Sequence, residues 1–148
     1  MKASGKISSA RTECQKGAAI IESALIMLGF LLILFGIMEA GRVMNVQQIL
    51  TDAAREGARY AVAPLPSTNT LPSTAQIQSV VDGFLQAGSI TGATVTVQKL
   101  VIIPINGVNK EHTRVRVDLP YRPIVGTLFF PTTLNLKGEA LMRDETSP

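Results

Sequence analysis

The chain has 148 residues, a formal net charge of +3 and a hydrophobic content of 46%, which leaves room for about one small domain. The charge does not indicate a nucleic-acid-binding protein, because four basic residues crowd the N-terminus and the others are interleaved with acids. The single cysteine, Cys14, excludes an intramolecular disulfide, and we interpret it as an incidental thiol rather than a palmitoylation site.

The N-terminal leader, residues 1–17, predicts how the chain is oriented in a membrane. Its basic residues outnumber its acids, whereas only Glu39 and Arg42 stand just after the apolar segment that follows. Because the cytoplasmic flanks of membrane spans are enriched in Lys and Arg, we place the N-terminus in the cytoplasm and residues beyond about 40 outside it. The basic residues of the leader are Lys2, Lys6, Arg11 and Lys16.

A long apolar segment predicts one transmembrane helix over residues 18–40. From Ala18 to Met38 the only charged residue is Glu22, and at ~1.5 Å per residue this run spans about 31 Å, the thickness of the hydrocarbon core of a bilayer. The run is longer than the apolar part of a secretory signal peptide, and no small-x-small cleavage site follows it. We therefore predict an anchor that signal peptidase does not remove.

Glu22 lies about one helical turn inside this segment, where a carboxylate is costly. One interpretation is that its side chain reaches back to the cytoplasmic interface, towards Lys16. Another is that the run Lys16–Glu22 resembles the start of type IV pilin-like precursors. That resemblance implies that a prepilin peptidase cuts between Gly17 and Ala18, and that Glu22 then neutralises the terminal amine of a neighbouring subunit. Two charges that are each expensive in lipid are tolerated better as a pair.

Residues 41–63 are predicted to continue the helix beyond the membrane. No proline occurs before Pro64, and apolar or small residues recur every three or four positions, as in an amphipathic helix. We predict one unbroken helix from about Ala18 to about Val62. The late part of the apolar stripe is unusually small, and we favour packing of the outer domain against it over a dedicated contact between subunits. Its members are Ala53, Ala54, Gly57, Ala58 and Ala61.

Two stretches of this helix are similar to the TadE-like family, the pilin-like accessory proteins of bacterial tight-adherence (Tad, Flp) pilus systems. They are Phe35–Arg42 and Leu50–Ala61, and the resemblance extends over residues 16–62. It implies a role in pilus assembly, with other pilin-like subunits, the prepilin peptidase and the pilus assembly platform as partners. The residues that match the family's motif are Glu39, Arg42, Arg55, Glu56, Gly57 and Arg59.

Residues 64–148 are predicted to form a small α+β outer domain, a pilin-like arrangement in which a short helix and about three antiparallel strands pack on the long helix. A loop rich in Pro, Ser and Thr ends the long helix, and the second helix begins at Ser73 or Thr74 and stops at Gly88. The predicted strands are residues 94–103, 111–119 and 133–142, with a turn at residues 106–110 between the first two.

Hydrophobic periodicity predicts which side chains face the core of this domain. In the strands we expect Arg114 and Arg116 to face solvent and the apolar residues that alternate with them to face the helices. Those inward residues are Val115, Val117, Leu134 and Leu136. The predicted apolar face of the second helix consists of Ile77, Val80, Val81, Phe84 and Leu85.

No constellation of residues in the sequence carries recognisable chemistry. The single histidine, His112, is expected on a polar hairpin surface, and no Cys/His cluster or glycine-rich loop indicates a metal or phosphate site. We predict no enzyme, catalytic residue, cofactor, metal, nucleic-acid partner or small-molecule substrate. The leading hypothesis is a single-pass TadE-like minor pilin, or pseudopilin, of the bacterial cell membrane that takes part in Tad pilus assembly. The alternative is a membrane-tethered envelope scaffold or binding protein that is not polymerised.

Overall fold

The computed structural model describes residues 5–66, 69–105, 108–124 and 133–143, with side chains from residue 17 onward except at residue 105 and residues 108–110. Within that part of the chain two helices are followed by three strands. The chain divides into two compact units, Met1–Ala40 and Gly41–Pro148. This confirms the predicted fold class: a long apolar helix, then a short helix and a three-stranded antiparallel sheet in an α+β, pilin-like arrangement.

The first helix, α1, runs from Gly5 to Val62 without a break. Its end agrees with the prediction, because the proline-containing segment that follows cannot continue the helical hydrogen bonds. Its beginning does not, since the helix starts at Gly5 rather than near Ala18. Residues 5–17 contain no proline, and a helix that has already nucleated extends through such residues at little cost.

The second helix, α2, spans Thr74–Ala87 and has the predicted caps at both ends. The amide of Gln76 donates to Ser73 Oγ at 3.3 Å, and Gln76 Oε1 accepts from the amide of Ser73 at 2.8 Å. These two bonds form a capping box, which satisfies amide groups that the first turn of a helix leaves unpaired. Gly88 forms the C-cap.

The buried face of α2 is narrower than predicted. Ile77, Val81 and Leu85 are buried, and they form a single row with a spacing of four residues. Val80 is half-buried, whereas Phe84 is 40% exposed, so the prediction that Phe84 faces the core is wrong. Each step along a helix turns by about 100°, and the residue before Leu85 therefore points to the flank of the helix rather than into the core.

The strands β1 (Thr94–Ile105), β2 (Val108–Tyr121) and β3 (Leu134–Arg143) form one antiparallel sheet in the order β1-β2-β3. Each strand is paired with its neighbour in sequence, which is the simplest sheet that short connections allow. The turn predicted at Asn106–Gly107 lies outside the described residues. Residues 108–110, which were predicted as part of that turn, already belong to β2.

An irregularity interrupts β1, the edge strand that pairs only with β2. The register shifts between Gln98 and Val101, and Leu100 has a φ of 60° within this bulge. Side chains also reach backbone carbonyls beside the strand: Gln78 Nε2 of α2 donates to the carbonyl of Val95 at 3.3 Å, and Lys99 Nζ donates to the carbonyl of Pro72.

The two faces of the sheet differ as the alternation of residue types predicts. Val115 and Val117 are fully buried, which confirms their inward orientation. Arg114 and Arg116 face outward and keep about 40% of their side-chain surface exposed. Leu134 is also 40% exposed, so its predicted burial is wrong. As the first residue of β3 it lies beyond the part of the sheet that the core covers, whereas Leu136 packs against the core.

His112 is buried rather than on the surface, with 8% of its area exposed. It was expected in a polar hairpin, but β2 begins at Val108, so His112 lies inside the strand. There it is paired with Val101 on one side and with Arg143 on the other.

The small residues of α1 form one side of the core of the outer unit, which confirms the predicted packing. Four alanines and Leu50 are fully buried, together with residues of α2 and β2. Gly57 lies in the same stripe, and a methyl group there would overlap Val81 and lie 3.3 Å from Val115 Cγ1. The buried alanines are Ala53, Ala54, Ala58 and Ala61.

The closest approach between helix and sheet occurs at Gly138 of β3. A methyl group on Gly138 would overlap the carbonyl of Leu50 and would lie 2.7 Å from the amide nitrogen of Thr51. Beside this contact, Gln47 Nε2 donates to the carbonyl of Lys137 at 2.5 Å. The backbone of β3 therefore lies directly on the backbone of α1, and only glycine permits this separation.

We expect Gly138→Ala to destabilise the outer unit by about 3 kcal/mol, because the new methyl group meets backbone atoms, which have no rotamer with which to move away. The free energy can be measured from amide hydrogen exchange of β2 in the full-length chain in detergent. Unchanged protection of β2 in the variant would contradict the close contact.

We expect Gly57→Ala to cost about 1–3 kcal/mol by overpacking, because its methyl group meets the side chain of Val81. Removing that side chain restores space, so Gly57→Ala combined with Val81→Ala should cost clearly less than the sum of the two single changes. Gly83→Ala is the control, since Gly83 is a helical glycine with open space around it, and alanine there should be neutral or stabilising. If the cost of the double change equals the sum of the costs of the two single changes, the two positions do not touch.

Candidate functional site

The functional region predicted from the sequence lies on α1, and its first part is a surface that is apolar on every side. From Gly17 to Met38 every residue is exposed, with Ile20 at 69% and Phe30 at 59%. By length and composition this helix is sufficient to cross a membrane, and none of its apolar window is covered by the rest of the described chain. Lipid, rather than water, is the solvent that suits such a surface.

The predicted cleavage and assembly residues lie on consecutive turns of this helix. Gly17 and Ala18 are helical and exposed, and no atom of another part of the chain lies within 4 Å of the point where a Gly17 side chain would begin. Glu22 is also exposed, one turn after Ala18 and on the same face. The backbone around Gly17 is therefore accessible to a large partner.

Ser23 is the other polar residue in this part of α1, and its hydrogen bond is made inside the helix. Its Oγ donates to the carbonyl of Ala19 at 2.8 Å, a bond that satisfies a hydroxyl in an apolar environment. Glu22 therefore carries the single charge within residues 18–38. Lipid solvates such a charge poorly.

Glu39 and Arg42 stand on either side of the boundary between the two units. Glu39 belongs to the first unit and is 7% exposed, whereas Arg42 belongs to the second and is exposed. From the sequence, both residues were interpreted as flanking charges, and the burial of Glu39 was not predicted. The local pattern of residue types gives no signal for this burial.

The remaining motif residues occupy two turns of α1 within the outer unit. Arg59 Nη2 lies 2.6 Å from Glu56 Oε1, and Arg55 Nη1 lies 3.6 Å from Asp52 Oδ1. The hydrogen bond from Arg59 lowers the pKa of Glu56; partial burial opposes this change, and the charge of Arg59 adds to it. Exposed pairs of this kind contribute little to stability. They keep one face of the helix polar, while Gly57 packs into the core on the other.

A polar depression on the outer face of the sheet is the other candidate site. Arg114 Nε lies 3.1 Å from Glu139 Oε1, and Arg116 Nε lies 2.8 Å from Asp118 Oδ2. These pairs leave the depression without an excess of either charge to attract an ionic ligand. Its lining residues are Thr96, Gln98, Arg114, Arg116, Asp118 and Glu139. Among the described residues, no group of three or more His, Cys, Asp or Glu side chains is placed to hold a metal ion.

Comparison with known proteins identifies the same helix. Residues 17–59 match the model of the family described as TadE-like protein, and this match lies entirely within α1. No match was found among curated proteins or among solved structures. The TadE-like pilin family is non-catalytic, and no enzyme homologue is found. Through residues 17–59 of its long N-terminal helix, this chain belongs to the TadE-like protein family.

Proposed function

We propose that this chain is a minor pilin-like subunit that takes part in the assembly of a Tad-type pilus and is anchored in the bacterial cell membrane by α1. The observation that carries the proposal is the apolar surface of residues 18–38, which is exposed on every side and contains Glu22 as its single charge. A pilin-like subunit needs such a surface twice, first against lipid and then against the helices of other subunits.

The proposed orientation has the leader in the cytoplasm and the outer unit on the opposite side of the membrane. Lys and Arg residues are concentrated before the apolar segment and sparse directly after it, and this asymmetry favours a cytoplasmic N-terminus. The prepilin-type cut would then occur at the cytoplasmic face, close to Lys16. The exposed backbone of Gly17 supports this step, because no side chain there obstructs a peptidase. The peptidase must still open the helical turn at that point, and glycine has a low helix propensity.

Cleavage changes the electrostatic setting of Glu22. Once the peptide bond between Gly17 and Ala18 is hydrolysed, Ala18 carries a new α-amine, and Glu22 becomes the fifth residue of the chain. A carboxylate near a helix N-terminus is stabilised by the helix dipole, and it is also placed to pair with an amine of a neighbouring chain. The amine and the carboxylate each cost free energy in lipid, and pairing reduces both costs. Processing therefore prepares the helix for assembly.

We expect Gly17→Phe to leave the leader attached, because the bulky side chain blocks access to the peptide bond that follows it. Gly29→Phe is the matched control, since Gly29 is also an exposed glycine in α1 with open space around it, and it should be processed normally. Mass spectrometry of the mature N-terminus, in cells that contain the prepilin peptidase, distinguishes an intact chain from one that begins at Ala18. Normal cleavage of the Gly17→Phe chain would refute the assigned cleavage site.

We expect Glu22→Ala and the isosteric Glu22→Gln to be cleaved at Gly17 but to co-purify with other pilin-like subunits at a lower level. Removal of the charge should leave membrane insertion at least as efficient as before, because a carboxylate in lipid is unfavourable by about 2.5 kcal/mol or more. Cleavage is scored by mass spectrometry, and association by pull-down of the pilin-like subunits.

Two results would contradict this prediction. Cleaved variants that associate normally would show that Glu22 merely reaches the lipid interface. A wild-type chain that keeps its leader and binds no pilin-like subunit would instead favour the membrane-tethered scaffold.

A further inference from the structure

The peptide bond between Gly17 and Ala18 lies inside a continuous helix. α1 begins at Gly5 and passes through this bond without a break. In an α-helix each carbonyl accepts a hydrogen bond from the amide four residues later. The carbonyl of Gly17 therefore accepts from the amide of Ile21. In the same way the amide of Ala18 donates to the carbonyl of Cys14, so both polar groups of this peptide are bonded within the helix.

Hydrolysis of this bond requires the carbonyl of Gly17 to leave its helical hydrogen bond. Water adds its hydroxyl to the carbonyl carbon, the bond to the nitrogen of Ala18 breaks, and a proton passes to that nitrogen to complete the new amine. During this step negative charge develops on the carbonyl oxygen, where a peptidase must place hydrogen-bond donors. In the closed helix that oxygen points along the helix axis to the amide of Ile21, so those donors cannot surround it. The helical form of the site therefore resists cleavage.

The unwinding has to come from the residues before the cut. In the proposed anchor the residues after Ala18 lie in lipid, where an unpaired backbone group is costly, and they keep their helical bonds. Before the cut lies the first part of α1, residues 5–17, which we call the leader helix. A break confined to the turn around Cys14 would leave only residues 5–13 helical, which is too short, since isolated helices need about 12–15 residues to be stable in water. The leader helix therefore opens as one unit.

The composition of the leader helix gives it low stability. Its residues of low helix propensity are Gly5, Ser8, Ser9 and Thr12. The hydroxyl groups of Ser and Thr also compete for backbone hydrogen bonds in non-helical conformations. The first turn contains no acidic residue, which would interact favourably with the helix dipole, and it contains Lys6, whose charge is unfavourable there. The leader helix is therefore formed but opens at a modest cost in free energy.

We propose that the leader helix controls processing, because the peptidase cuts only chains in which residues 5–17 have unwound. This inference rests on the proposed cleavage after Gly17. Helices of this size open and close within about 1 μs, whereas enzymes turn over about 1–10³ times per second. When opening is this much faster than cutting, the rate of cleavage follows the equilibrium population of the open form. Residues far from the cut therefore set its rate through the stability of the helix.

The test changes the stability of the leader helix at positions remote from the cut and leaves every charge in place. Ser8→Ala combined with Ser9→Ala raises the helix propensity and should slow cleavage about fivefold. Ala10→Gly lowers the helix propensity and should speed cleavage by up to about fivefold. Gly29→Ala is the matched control, because it raises the helix propensity beyond the cut, at an exposed glycine with open space around it, and it should leave the rate unchanged.

Two measurements are made on the full-length chain in membrane vesicles. With active prepilin peptidase present, mass spectrometry follows the fraction of chains that begin at Ala18 over time. Without the peptidase, amide hydrogen exchange of residues 9–16 reports how often the leader helix opens. We expect exchange and cleavage to slow together in the double variant and to quicken together in Ala10→Gly.

Opposite effects of the two changes identify helix stability as the cause, because damage to a recognition sequence would slow cleavage in both variants. Cleavage that is slowed by both changes, or rates that stay equal while exchange shifts, would overturn this inference and leave the proposed cut in place. Leader amides without protection in the wild-type chain would overturn it too, since no helix would then limit the peptidase. A wild-type chain that is not cut after Gly17 rejects the proposed processing together with this inference.

Discussion

The outer unit depends on how closely α1 and the sheet approach each other. Gly138 lies against the backbone of Leu50 and Thr51, and this separation is possible because Gly138 has no side chain. The contact determines which residues of α2 and β2 fill the remaining space, with Val81 and Val115 closing over Gly57. The core is therefore thin, built from alanines and valines with Leu50, Ile77, Leu85 and Leu119 as its larger members. A thin core tolerates added volume poorly, because little around it is free to rearrange.

One helix carries two patterns of side chains, and each pattern suits a different solvent. Residues 18–38 are apolar around the whole circumference, as lipid requires, whereas residues 43–62 are apolar on one side and charged on the other. The helix carries both patterns without proline or a break. The family match covers parts of both, from Gly17 to Arg59. The matched stretch thus includes residues of both parts, since Gly57 belongs to the core of the outer unit and Glu22 to the apolar segment.

The elements with strong local signals were predictable from sequence. Ser73 and Gly88 marked the ends of α2, and alternation around Val115 gave the correct faces of β2. Failures occurred where exposure depends on the edges of the assembled unit. Leu134 falls on the inward face by the alternation of β3, but it lies past the end of the core. His112 was expected in a hairpin, but it lies inside β2 between two paired strands. The contact at Gly138 joins segments that are far apart in the chain, so no local pattern of residues predicts it. For the candidate site, sequence supplied residue types and spacing, and the structure added their exposure.

The bulge in β1 has a consequence for how one copy of the chain can meet another. An edge strand presents unpaired amides and carbonyls that can recruit a strand of another chain. Here Leu100 turns the strand at a positive φ, and Gln78 occupies the carbonyl of Val95. A neighbouring copy therefore finds this edge interrupted and partly capped, which disfavours the addition of a strand at β1. That interruption acts against disordered aggregation through β1.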